Sequence, residues 1–308
     1  SQSFTTDFQM PLEDSDRSEI HWYFTEYLSD VGNVASQRAD AIEVGLRNLG
    51  RLLFEKLLQS TPDALSLYKI AIDEGLENCR VIVDSDRPQF LAIPWELINE
   101  PEKGYLISQM PSIVRRPTNH NKISYPYNLP TDQINVLIVA PRPQLGERRL
   151  SGGLTGETAQ SLEALPVHAE LEYLYPPTYE NLKSTLANKP NYYHVLHIDG
   201  AASDGGSIAF EQVDGATDMV ELEELASCVN TAGIPTLITN NGPVSEGNSW
   251  VGPSDTSLRL STTGIPNIVS LPYRIQSPSG EKFLRKFYAL LSEGLEISQC
   301  VAISRGLL

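Results

Sequence analysis

His197 and Asp199 stand two residues apart in "HVLHIDGAASDGG", where an apolar run breaks into glycines. Loops that leave the carboxyl ends of strands are where α/β proteins gather ligands and catalytic groups. The stretch "IPTLITNNG" ends the same way, in Asn240, Asn241 and Gly242. Together the two loops define a candidate groove of His197, Asp199, Gly200, Asn240 and Asn241. A histidine with a thiol in reach would make such a place a cysteine-nucleophile site, because the imidazole supplies the base that generates a thiolate near neutral pH.

The residues themselves argue for blander roles. A lone histidine on an apolar strand is expected to be a core group with a hydrogen-bond partner. His194 lies three residues earlier and, by strand alternation, faces the other side, so the two rings share neither a site nor a metal. Asp199 before Gly200 suits a turn or cap, with a pocket for a basic side chain as the functional alternative. Cys79, Cys228 and Cys300 are widely spaced, odd in number and free of any CxxC pair. That argues against a disulfide framework or a zinc site, and it suits a reducing, cytoplasmic setting. Cys228 and Cys300 fall within helical patterns and read as core or interface residues. No glycine pattern for phosphate and no metal-spaced cluster is present, so neither a cofactor nor a metal is expected.

The elements around these residues alternate. "INVLIVAP", "YYHVLHID", "IPTLITNNG" and "IPNIVSLPY" are nearly all-apolar strands. Helical segments such as "TYENLKSTLANK", "ELEELASCVNTAG" and "SGEKFLRKFYALLSEG" separate them. This order predicts a mostly parallel, doubly wound sheet with helices on both faces. "VHAELEYLYP" alternates and reads as a strand with one exposed face. Upstream, Ile42, Leu46, Leu49, Leu53 and Leu57 mark a helix by their spacing. "CRVIVDSD" and "PSIVRRP" read as strands, and "PQFLAIPWEL" as a strand running into a helical turn at Pro94. Trp95 is expected to be a buried anchor between two halves, with Glu96 satisfied by a neighbour. The polar stretch over 118–133 looks like a linker, and "SGGLTGET" at 151–158 like a loop. These boundaries give a flexible lead-in over 1–17, a helix-rich half over 18–128 and an α/β half over 129–308.

The chain has 308 residues and an apolar fraction of 41%, enough for a sizeable core. Its net charge of −16 repels nucleic acid, and the pairs Arg115-Arg116 and Arg148-Arg149 are the local exceptions. No apolar run approaches the about 18 residues of a membrane span, and "SQSFTTDFQMPLEDSD" has none of the parts of a signal peptide. With no initiator Met, the first residue reads as a trimmed start.

The succession "FLAIPWELINEP", "NVLIVAPRP", "YHVLHIDG", "GSIAFEQVDG", "GIPTLITNNG", "GIPNIVSLPYRI" and "FLRKFYALLSEG" resembles the blocks of a CHAT domain. These are caspase-like, separase-related cysteine peptidases of clan CD. The resemblance covers about residues 20–308. It implies a caspase-like sheet preceded by a pseudo-protease half. The family's dyad is a histidine from a pattern like H-F-D-G-H-G and a cysteine from one like G-V-P-L-V-V-L-N-A-C. Laid on "HIDGAA", the histidine position falls on Ala201, while His197, Asp199 and Gly200 agree. Laid on "GIPTLITNNG", Asn240 agrees and the cysteine position falls on Gly242, or on Asn241 with a one-residue shift. Both halves of the dyad are thus replaced by residues without the chemistry. The resemblance implies a catalytically inactive pseudoprotease, a regulatory or scaffold subunit in a prokaryotic defence or cell-death system. Its expected partner is a protein: a protease, a tetratricopeptide-repeat (TPR) protein or a second copy. The alternatives are a peptidase with a displaced or engineered-out dyad, and a module that binds an extended peptide at the sheet edge.

Overall fold

The apolar runs of the second half become strands whose alternate residues enter two different cores. The computed structural model describes residues 14–25, 27, 36–91, 93–110, 112–118, 128–145, 148–149, 169–202, 206–243, 254–271 and 277–306. The 151–158 loop and most of the 118–133 linker lie outside the described residues.

Four strands follow the expected order: β5 (Ile134–Val139), β9 (Val195–Ala202), β12 (Thr236–Pro243) and β13 (Asn267–Leu271). With β8 (Ala169–Tyr173), they lie in the spatial order β8-β5-β9-β12-β13, every neighbouring pair parallel. The chain steps outward from β5 to β8, then returns past β5 to β9. The direction of winding therefore reverses between β5 and β9, the place where open α/β sheets form a crevice. Here the crevice is filled from within. β5 pairs with β9 only over residues 195–198. Beyond that, β10 (Ser207–Glu211) runs antiparallel to β9 over residues 201–202 and pairs outward with β11 (Thr217–Glu221). The sheet is thus seven-stranded and mostly parallel.

Alternation assigns the faces. Leu137 and Val139 of β5 and Leu196 and Ile198 of β9 pack on α5 (Tyr179–Asn188) and α6 (Leu222–Thr231). Val136 and Ile138 of β5 and Val195 of β9 pack on α8 (Ser277–Ser292) and α9 (Ile297–Arg305) through Phe283, Phe287, Tyr288 and Cys300. A sheet with two covered faces must be apolar on both, which is why these strands read as continuous runs. Thr178 caps α5 by accepting from the Asn181 N–H at 3.2 Å. Gly233, at φ +70°, closes the turn after α6, where a side chain would be strained.

The first half holds α1 (Asp14–Thr25), α2 (Ser36–Leu58) and α3 (Pro62–Glu74), with β1 (Arg80–Ser85) parallel to β4 (Ser112–Pro117). α1 begins inside the stretch read as a lead-in. "PQFL" is a helical turn, α4 (Pro88–Leu91), rather than the expected strand. Pro88 pre-sets the first helical φ and offers no N–H to a ladder. Two short strands follow, β2 (Asn99–Glu100) and β3 (Gly104–Tyr105), paired as a small hairpin. Trp95 is fully buried in a core with Leu53, Phe54 and Leu106, and its indole N–H donates to the Phe90 carbonyl at 3.1 Å. Leu258, on α7 (Ser254–Ser261), packs against that core from the second half. The β6 (Gln144–Leu145) and β7 (Arg148–Arg149) hairpin follows the β5 exit loop.

Candidate functional site

The two expected loops are strand. β9 continues as ladder through Gly200, Ala201 and Ala202, and β12 continues through Pro243. Pairing across the full length of both strands places Asn240 opposite Asp199, Asn241 opposite Gly200 and Gly242 opposite Ala201. The two positions that the family pattern gives to histidine and cysteine are therefore register partners on neighbouring strands. Adjacent strands lie about 4.8 Å apart, so side chains at two such positions would sit within reach of each other. Ala201 contributes a methyl group, buried against Ala209 of β10, its own register partner. Gly242 contributes no side chain. The side chains of Asn240 and Asn241 lie outside the described residues.

Asp199 is not a turn residue. It sits within β9, and its side chain is fully buried, which also takes it out of any open groove. The cause is Arg142, which the sequence reading did not single out. Arg142 follows Pro141 in the loop leaving β5, on the other side of the switch point. Its Nη2 donates to Asp199 Oδ2, and its Nη1 donates to the Asp199 carbonyl at 2.5 Å and the Pro141 carbonyl at 2.8 Å. Its backbone N–H donates to Glu211 Oε1 at 2.5 Å, which ties the same loop to β10. A buried carboxylate is tolerated only when paired and hydrogen-bonded. The basic side chain that the functional alternative would bring to Asp199 is thus the chain's own. The signal for it was the first charged residue after the apolar β5, at the carboxyl end of a central strand.

His197 lies on the same face, fully buried, with Nδ1 2.8 Å from the Tyr288 hydroxyl of α8. Its Nε2 has no partner among the described residues. Burial pushes its pKa down from 6.5 to about 4, and the Asp199 carboxylate opposes that shift without overcoming it. A ring held neutral and enclosed is a core group, not a base open to a substrate. His194, just before β9, has other partners. Its Nδ1 accepts from the Asn135 N–H at 3.0 Å, and Nε2 lies 3.0 Å from the Pro130 carbonyl. It fastens the end of the linker to the start of the sheet.

The thiols are equally unsuited. Cys79 points its Sγ at the Gly75 carbonyl at 3.4 Å, and burial with Glu74 and Glu77 pushes its pKa up. Burial raises Cys228 on α6, against the pull of Lys183. Cys300 is fully buried, donates to the Leu295 carbonyl at 3.6 Å, and is pushed up to about 11 by burial. A raised pKa keeps each as the thiol, which is neither nucleophile nor metal ligand. Among the described residues no group of three or more His, Cys, Asp and Glu is placed to hold a metal ion. Among them too, no helix is long and apolar enough to cross a membrane.

Glu96 meets its expected neighbour. Arg115 grips it in a fork, Nη1 to Oε1 at 2.5 Å and Nη2 to Oε2 at 2.6 Å, while also donating to the Leu91 and Ile93 carbonyls. Burial pushes the Glu96 pKa up, but the Arg115 charge and hydrogen bonds outweigh it and hold the carboxyl below its ordinary value. The chain matches no protein-family model and no curated protein.

Proposed function

We propose that this chain is a catalytically inactive, CHAT-like pseudoprotease that works by binding another protein. The observation that carries the reading is the register between β9 and β12. Two strand ends that lie side by side at the carboxyl edge of the sheet present Ala201 and Gly242, where a histidine and a cysteine would complete a peptidase. The surroundings support the same reading. Ala209 packs on Ala201, Arg142 neutralises Asp199, and all three thiols are held protonated. The strand order and the helices on both faces suit a caspase-like arrangement, with residues 18–128 as its pseudo-protease half. A scaffold of this kind, regulating a protease in a prokaryotic defence or cell-death system, is the role that fits the resemblance.

The test is thiol reactivity. Treated with an iodoacetamide-type electrophile at neutral pH, the native chain should label at Cys79, Cys228 and Cys300 more slowly than free cysteine does. Fast labelling of any one of them, lost on its change to Ser, would overturn the reading in favour of a displaced nucleophile.

A further inference from the structure

Among the described residues β1 pairs with β4 alone, so its other edge carries no strand. One hydrogen bond fixes which backbone groups lie along that edge. The Thr118 N–H donates to the Ser85 carbonyl at 3.0 Å, just past the last register pair, Ser85 with Pro117. In a parallel ladder every second residue of a strand bonds a given neighbour. Ser85, Val83 and Val81 are therefore turned toward β4. The N–H and C=O groups of Arg80, Ile82 and Asp84 point along the open edge. Pro117 agrees with this register, because it faces away from β1, where its missing N–H costs the ladder nothing.

The side chains of the same three residues share the exposed face of β1, while Val81 and Val83 pack into the first-half core. Ile82 is 45% exposed. An exposed apolar edge is a template for pairing with another chain, and charges along it ordinarily guard against that. Here the guards have opposite signs and stand symmetrically about Ile82. Laid antiparallel on a second copy and centred on Ile82, "RVIVD" sets Arg80 opposite the partner's Asp84 and Asp84 opposite the partner's Arg80. Val81 and Val83 face each other in the same way, and Ile82 faces its own copy. Only this register pairs both charges. It also brings the outward backbone groups of Arg80, Ile82 and Asp84 opposite one another, as the hydrogen-bonded pairs of an antiparallel ladder require. Each new pair extends one already present: Arg116 meets Asp84 at 2.5 Å, and Arg80 meets Glu296 at 2.7 Å. Across the join the row reads Arg116, Asp84, the partner's Arg80 and the partner's Glu296, alternating in sign throughout. Opposite charges facing across strands stabilise the pairing, and like charges oppose it.

We propose that the chain forms a two-fold dimer through the open edge of β1, joining two β1–β4 pairs into one four-stranded sheet. The same patch serves both copies, so the assembly closes at two. The interface does not depend on how the β9 and β12 strand ends are read.

The experiment is sedimentation equilibrium on the whole chain across the micromolar range. The native chain should sediment as a dimer. Arg80→Asp and Asp84→Arg each set like charges opposite one another at both ends of the join. Either change alone should weaken self-association by about tenfold or more. Both side chains are partly exposed, so neither change disturbs the core. Mixed in equal amounts, the two variants again place opposite signs face to face, and the mixture should form a heterodimer about as tight as the native dimer. A native chain that stays monomeric throughout the range would overturn the proposal. A dimer that either single change leaves intact, or a mixture no more associated than its two components, would do so too.

Discussion

Asp199 at the end of β9 and Arg305 at the end of α9 are both charges drawn out of water, and they are treated in opposite ways. Asp199 is fully buried, and the neighbouring strand's exit loop brings Arg142 onto it with contacts to both its carboxylate and its carbonyl. Arg305 is less buried, yet its enclosed Nη2 has nothing to donate to among the described residues. Asp199 is therefore satisfied by the chain itself. The unmet hydrogen bond lies at the end of α9.

The largest effect should come from breaking the satisfied pair. Arg142→Ala leaves a fully buried carboxylate without its counter-ion, and removing one partner of such a pair costs about 3–5 kcal/mol. Urea unfolding at neutral pH would measure it. A loss below about 1 kcal/mol, the range of exposed pairs, would show that Asp199 is reached by water and that the crevice is open.

Next in size is acid. The native chain keeps His197 neutral down to about pH 4, whereas the unfolded chain protonates it near 6.5. A lowered histidine pKa means that the unfolded state binds the extra proton first. The contribution is therefore whole above pH 6.5 and is lost as pH falls from there toward 4, on the order of 3 kcal/mol in all. His197→Gln should flatten the stability profile across that window. An unchanged slope would place the ring in contact with solvent.

The smallest effect should come from the unmet charge. Arg305→Met should cost under about 1 kcal/mol or raise Tm, because it removes an enclosed nitrogen that has no acceptor among the described residues. A loss as large as that of Arg142→Ala would erase the contrast between the two ends.

Much of this frame was legible in the residues, for a physical reason. Strands covered on both faces must be apolar at every position, so β5, β9, β12 and β13 announced themselves, and the helices between them fixed a parallel sheet. That His194 and His197 have separate partners was also expected, although His194 lies just before β9 rather than in it. Four features were not legible. Gly200, Ala201 and Ala202 look like a loop, because small residues mark turns when read locally. They form ladder because β12 on one edge and β10 on the other supply partners that composition does not reveal. For the same reason Asp199, read as a turn residue, proved to be a strand residue whose partner Arg142 lies 57 positions away in sequence. Tyr288, the partner of His197, lies 91 positions away on a helix across the sheet face. "PQFL" failed in the other direction: an apolar tetrapeptide is too short for period to decide, and Pro88 decided it.

The central claim is that β9 and β12 frame a peptidase site and carry none of its chemistry. The most direct measurement is mass spectrometry of a diverse peptide library after long incubation with the native chain. The account predicts a library indistinguishable from one incubated with buffer. Cleavage at a defined sequence, abolished when one of Cys79, Cys228 or Cys300 is changed to Ser, would contradict it.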